Sequence, residues 1–292
     1  MDEIVTPITP YLICDHYFSD EVMPGPVYIG FNLKKYTRSN DLLMNNNLHT
    51  IKEGQIIQVS VNLFYKFVNE LLPKIKCKIV VITSQYHLPQ IQRNELTDNF
   101  LKNEKIILWI SQNPIYENNE KYMAFPYGIN HYYVDQYKYF LERNEKNLDE
   151  KNNLCYNSPV NIHRHLKPNH IRRKLKLNNA IDSNTLDYEN YLQNILNSKF
   201  TISTSGDRDD CYRHYECIGL NSIPISDIKY KEIFEDSMIY SDLDNILQII
   251  NNPEYIETKY NGYNINKGII KVDYWLNKIS ERLKKMGVNK NF

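Results

Sequence analysis

Apolar residues in this chain gather in short runs separated by polar, periodic stretches. Cys77 to Thr83 (CKIVVIT) and Lys105 to Ser111 (KIILWIS) are continuous apolar runs of strand length. Runs without alternation are typical of parallel strands buried on both faces. Tyr11 to Tyr17 (YLICDHY) predicts a first strand ending in polar residues, with Asp15 and His16 at its close. Val27 to Asn32 predicts an extended segment, and Met123 to Phe125 a short strand. From Ile56 to Leu72, apolar residues fall at Ile56, Val59, Leu63, Phe64, Phe67, Val68 and Leu71. Those spacings of three and four predict a helix, ended by Pro73. Asn94 to Asn103 and Val134 to Asn147 read as further helices.

A second series follows the most polar stretch, Asn144 to Asn153. Leu154 to Asn157 is a short strand, Pro168 to Leu175 and Tyr188 to Leu196 are helices, and Phe200 to Ile202 is a strand. Cys211 to Leu220 is a helix and Ser222 to Ser226 a strand. Ser237 to Tyr240 is a strand, and a helix capped by Ser241 runs from Asp242 to Ile250. Gly268 to Met286 is an amphipathic helix with Trp275, Ile279 and Leu283 on one face. Strands alternating with helices indicate α/β architecture. The predicted division is an N-terminal Rossmann-like domain over 1–150, a second over 151–270, and a C-terminal helix over 271–292 that packs back on the first.

Composition narrows the function classes. Lys and Arg (35) balance Asp and Glu (35), so no global basic field favours nucleic acid. The local basic run His163 to Lys176 is the exception. Five widely spaced cysteines without a C-x-x-C pair indicate neither a zinc site nor a disulfide framework, which fits a reducing compartment. The N-terminus MDEIVTPITP lacks a basic n-region, and no run reaches the roughly 18 apolar residues that span a bilayer. A cytoplasmic protein without a membrane anchor is expected. High Tyr (24), low Gly (9) and abundant Asn, Ile and Lys hint at an A/T-rich genome such as that of a large DNA virus or a low-GC microbe.

The most informative stretch is Lys199 to Asp227 (KFTISTSGDRDDCYRHYECIGLNSIPISD), a strand–turn–helix–strand unit. Ligands on such units sit beyond the carboxyl ends of strands, against the helix N-terminus. A small-residue turn with Arg208 and Arg213 suits a diphosphate. Glu216, three residues after Arg213, suits a ribose diol or pairs with that arginine on one helix face.

Ser198, Phe200, Gly206, Asp207, Tyr212, Arg213, Glu216, Ile223 and Pro224 stand in the pattern of the donor-binding region of exostosin-type glycosyltransferases, which this segment resembles. The specific match covers about thirty residues of the chain. Two positions depart from it: Ser205 replaces a basic residue before the Gly, and Asn221 replaces a small Gly before the second strand. The resemblance implies two Rossmann-like lobes with a donor cleft between them, a GT-B-like architecture. It implies transfer of a sugar from a nucleoside-diphosphate sugar to a hydroxyl of a glycan or glycoprotein, with inversion; the chain has no D-x-D flanked by apolar β residues, so no divalent metal or other cofactor is expected. The competing reading is a non-catalytic nucleotide- or glycan-binding module with a degenerate transferase fold.

On this reading Ser205, Gly206, Asp207, Arg208, Tyr212, Arg213 and Glu216 bind the donor. Arg164 and Arg172, from the basic loop, add phosphate contacts. Without a metal, arginines and amide dipoles must stabilise the departing diphosphate. Asp207, Asp209 and Asp210 can imitate a metal site, but at a helix start acids cap N–H groups. Asp15, His16 and His87 are the candidate bases for the acceptor hydroxyl. Asn113, Tyr127 and Gly128 are candidate acceptor-side residues. Trp109, in an apolar strand, reads as core.

Overall fold

The computed structural model describes residues 3–19, 47–84, 90–160, 162, 167–178, 180, 186–206, 208–259 and 262–290. It is a mixed α/β protein with two parallel sheets, one of five strands and one of four. The chain divides into two compact units, 1–127 with 271–292, and 128–270.

In the first unit, α1 (Thr9–Ile13) precedes β1 (His16–Phe18), β2 (Ile56–Ser60) and β3 (Ile79–Ser84). Then come α2 (Glu95–Lys102), β4 (Ile106–Ser111) and β5 (Tyr122–Ala124). The strands pair in chain order, all parallel. Every residue of β2, β3 and β4 is buried, as their unbroken apolar runs require. The core centres on Trp109, whose ring stacks on Phe64 at 5.4 Å and meets Phe100 and Tyr122 edge-on. Its Nε1 donates to Thr83 Oγ1 at 2.9 Å, so the one polar atom of this buried ring is satisfied. The last helix, Val272–Lys285, belongs to this unit. Its start is tied to the N-terminal segment by Val272 N–H donating to Glu3 O at 2.9 Å.

Two expectations are corrected here. The helix predicted over Ile56 to Leu72 is a strand over its first five residues and helical turns only from Val61. Ile56, Ile57 and Val59 are β-branched and sit between two neighbouring strands, so pairing overrides a three-four spacing that arose by coincidence. The first strand likewise begins later than expected: Thr9–Ile13 is helical, and His16 opens β1 rather than closing it.

In the second unit, α3 (Val134–Arg143) leads into β6 (Asn153–Asn157), α4 (Ile171–Leu177) and α5 (Tyr188–Asn197). Next are β7 (Ser198–Ile202), α6 (Tyr212–Gly219), β8 (Ile223–Ser226), β9 (Ile239–Tyr240) and α7 (Leu243–Asn251). These four strands are also parallel and in chain order. The α7 cap is Asp242, whose carboxylate accepts from Asn245 N–H at 2.9 Å, one residue beyond the Ser241 expected from sequence.

The units part between Tyr127 and Gly128, not in the polar stretch Asn144 to Asn153. That stretch is fastened to the second unit: Lys146 Nζ donates to Asn197 Oδ1 at 2.6 Å, and Asn221 Nδ2 donates to Lys146 O at 3.1 Å. Helix α3 is held by Tyr137, whose hydroxyl donates to Glu216 O at 3.1 Å. A Cβ on Gly219 would lie 2.1 Å from that hydroxyl, so the close approach needs glycine. Asn221 adopts φ +57°, the left-handed conformation that Asn tolerates, and thus stands in for the glycine of the resembled pattern.

Lys151 is buried beside the same helix ends, its Nζ donating to Leu196 O at 2.6 Å and Leu220 O at 3.0 Å. Burial draws its pKa down to about 8. The unfolded chain therefore holds more protons than the folded one between about pH 8 and the ordinary 10.5. Stability from this group should rise with pH across that window. Urea unfolding at pH 8 and pH 10 should show the rise in the wild type and lose it in Lys151→Met. An identical slope in both would remove Lys151 as its source.

Candidate functional site

Strand β7 ends at Ile202, and the segment from Ser203 to Asp210 turns beyond its carboxyl end into α6. No reversal of strand order occurs among the described strands, so the crevice that usually opens at such a reversal has no counterpart there. What the sheet offers is its carboxyl edge. Three basic side chains gather at this turn. Arg172, on α4, donates from Nη2 to Thr204 O at 3.4 Å, and a Cβ on Gly206 would lie 3.1 Å from that nitrogen. Arg208, within the turn, is buried. Arg213, at the second position of α6, donates from Nη2 to Pro159 O at 2.7 Å, just past the carboxyl end of β6. His170 caps α4 and its Nε2 meets Gly206 O at 3.0 Å.

The turn is not the open cradle of N–H groups expected from sequence. Ser205 gives both its backbone N–H and its hydroxyl to the Asp227 carboxylate, each at 2.7 Å. Gly206 N–H donates to Arg208 O at 2.8 Å. On Arg213, Nε and Nη1 are buried without a hydrogen-bond partner among the described residues. The Tyr191 hydroxyl donates to Glu216 and turns its oxygen towards this guanidinium, a weak acceptor that falls short of full hydrogen-bond geometry. Burial opposes the charge, yet neighbouring Tyr191, Cys211 and Glu216 outweigh it and hold the guanidinium charged.

Glu216 does not face the turn. It is 4% exposed, and its two oxygens accept from Tyr188 at 2.8 Å and Tyr191 at 2.7 Å. Tyr188 and Tyr191 belong to α5, so the carboxylate is aimed at a neighbouring helix rather than at a ligand on the sheet edge. Burial raises its pKa, and the two phenols and Arg213 offset that only in part. Tyr212 is half-buried at the first position of α6. Asp210 is buried and accepts from Tyr215 at 2.5 Å. Among the described residues no group of three or more His, Cys, Asp or Glu is arranged to hold a metal ion.

The candidate bases fall elsewhere. Asp15 and His16 stand at the amino end of the parallel β1, opposite to the edge where such sheets carry ligands. Asp15 accepts from Ile56 N–H at 2.7 Å and pairs with Lys290. Burial raises its pKa, but those two partners outweigh it and leave the carboxyl below its ordinary value. His16 meets Gln55 Oε1 at 2.9 Å. These are contacts that fasten a strand start, because the amino ends of adjacent strands leave their first N–H groups to be capped. Asn113 lies two residues beyond β4, on its carboxyl side, with its carbonyl accepting from Ser111 and Tyr122. Tyr127 is buried, and Gly128, at φ +80°, is the first residue of the second unit. His87, Arg164 and Asp207 lie outside the described residues, as does the segment Val27 to Asn32.

Sequence reasoning missed Asp227, the Tyr188–Tyr191 pair and a contact between Cys211 and His214. The last had a legible signal. Cys211 is the N-cap of α6 and His214 its third residue, a spacing that places both side chains over the first turn.

No protein-family model matches the chain, and neither does any curated protein sequence. Among the described residues no helix is long and apolar enough to cross a membrane.

Proposed function

We propose that this chain is a glycosyltransferase that takes its sugar from a nucleoside diphosphate, with the β7–α6 turn of the second unit as the diphosphate seat. The observation that carries the reading is Arg213. Its Nε and Nη1 are buried without a hydrogen-bond partner among the described residues, at a cost of about 1–3 kcal/mol for each orphaned group. An anionic ligand at the start of α6 would satisfy them, reinforced by the helix N-terminus and by Arg172 and Arg208. Diphosphate is the fitting anion, since a leaving group that gains negative charge benefits from fixed cationic donors. Support also comes from the two successive parallel α/β units and from the residues shared with the exostosin-type pattern. The proposed transfer is inverting and metal-independent. Glu216 is left out of the ribose site, because its oxygens are already held by two phenols.

The satisfied Ser205–Asp227 pair favours the second reading, a module that binds a nucleotide or glycan without turning it over. A screen of nucleoside diphosphates by thermal shift, followed by assay of the matching sugar nucleotides, separates the readings. A ligand at 100 times its Kd adds about 2.7 kcal/mol of stability. Binding with turnover, including slow hydrolysis, that survives exhaustive chelation supports the transferase. Binding without turnover of any sugar nucleotide supports the module. No shift with any nucleoside diphosphate overturns both the seat and the proposed donor.

A further inference from the structure

Cys211 stands apart from the other four cysteines. Cys14 and Cys217 are buried. Burial pushes the thiols of Cys77 and Cys217 up, and that of Cys155 up to about 12. Cys211 is half-buried at the N-cap of α6, with its Sγ 3.5 Å from His214 Nε2. His214 is itself fully buried and held from both sides, its Nδ1 2.7 Å from Ser203 Oγ and its Nε2 3.1 Å from Asp209 O, so the sulfur, 3.5 and 3.8 Å from the two nitrogens, lies against the ring. A thiol at a helix N-cap, set against a fixed imidazole, is in a setting that favours the thiolate.

We propose that Cys211 is a modification site, a thiolate paired with the His214 imidazolium that undergoes exchange with a small anionic disulfide such as glutathione disulfide. Sγ attacks one sulfur of the disulfide. The new protein–glutathione S–S bond forms as the old S–S bond breaks, and the departing glutathione thiolate takes a proton from solvent. Cys211 is oxidised and one half of the disulfide is reduced, so no further oxidant is needed. Anionic reagents are favoured because the guanidinium charges of Arg213 and of Arg172 from α4 act on this sulfur. The other titratable groups acting on the pair are Asp209 and Asp210 from the turn, Glu216 and Cys217 on α6 itself, and Tyr230 after β8. Desolvation works against the thiolate, but His214, Arg213 and Arg172 outweigh it and draw the Cys211 pKa below its ordinary value. The site stands whether or not the transferase reading holds, since it needs no nucleotide.

The test is alkylation of the whole native chain by iodoacetamide from pH 5.5 to 9.5, with each cysteine followed by peptide mass spectrometry. Cys211 should react first, with a midpoint below the ordinary thiol value of about 8.5, and at pH 6 about tenfold faster than half-buried Cys77. Glutathione disulfide should then modify Cys211 about tenfold faster than the cationic disulfide cystamine. In His214→Asn the midpoint should climb towards the ordinary value. If that variant unfolds, all five cysteines will label alike, and the wild-type profile still decides. A midpoint at or above 8.5, no labelling of Cys211, or equal rates with the two disulfides would overturn the proposal.

Discussion

Glu216→Ala should lower the stability of the 128–270 unit by about 3–5 kcal/mol, the range for breaking a buried network from one side. The carboxylate is the common acceptor of Tyr188 and Tyr191, so its removal orphans two half-buried hydroxyls and opens a cavity between α5 and α6. Each orphaned group costs about 1–3 kcal/mol, which by itself accounts for most of the expected loss. Glu216→Gln behaves differently. It keeps the volume and a carbonyl acceptor for one phenol, while its NH2 group can donate to the oxygen of the other, and it removes the charge that burial disfavours. Because burial raises the folded pKa of Glu216 above 4.5, the folded state holds its proton at higher pH than the unfolded state. Stability from this group is then fully present below pH 4.5 and falls as pH rises through the folded pKa. Gln cannot titrate, so that fall should vanish in Glu216→Gln. Urea unfolding of the two variants from pH 4 to 8 measures both effects. A loss under about 1 kcal/mol in Glu216→Ala would show that the tyrosines re-pair without it, and would reopen a ligand role for the carboxylate.

Arg213→Met should weaken nucleoside diphosphate binding by about a hundredfold or more. Two charge-assisted hydrogen bonds contribute about 1.5–3 kcal/mol each, and every 1.4 kcal/mol is tenfold in affinity. Methionine keeps the apolar stem packed while removing the donors. The lost charge-assisted hydrogen bond to Pro159 O should cost about 1.5–3 kcal/mol of stability. Calorimetric titration of the diphosphate found in the thermal-shift screen reads the effect. Affinity equal to wild type would remove Arg213 from the seat. A variant that melts far below wild type before any ligand is added would instead mark Arg213 as a structural strut.

Much of the scaffold follows from local sequence. CKIVVIT and KIILWIS can be satisfied only by burial on both faces, and they form β3 and β4. Asn94 and Asp187 cap the helices that follow them, each side chain accepting from a backbone N–H three residues on. The strand–turn–helix–strand of Lys199 to Asp227 is likewise written in its alternation of apolar run, small polar turn and amphipathic stretch. Tertiary structure decided what those patterns leave open. Ile56 to Ser60 satisfies either periodicity, and two neighbouring strands made it β2. Periodicity sets Glu216 on the buried face of α6, but only the packing of α5 against that face turned its carboxylate towards two tyrosines 25 and 28 residues earlier in the chain. Asp227 lies 22 residues from Ser205, and pairing of β7 with β8 brought it to the turn. A backbone pattern fixes which elements form, because their hydrogen bonds and apolar faces are local. Which polar groups remain unpartnered depends on contacts between elements distant in sequence: among the described residues the Ser205 donors are taken by Asp227, while Nε and Nη1 of Arg213 find no hydrogen-bond partner.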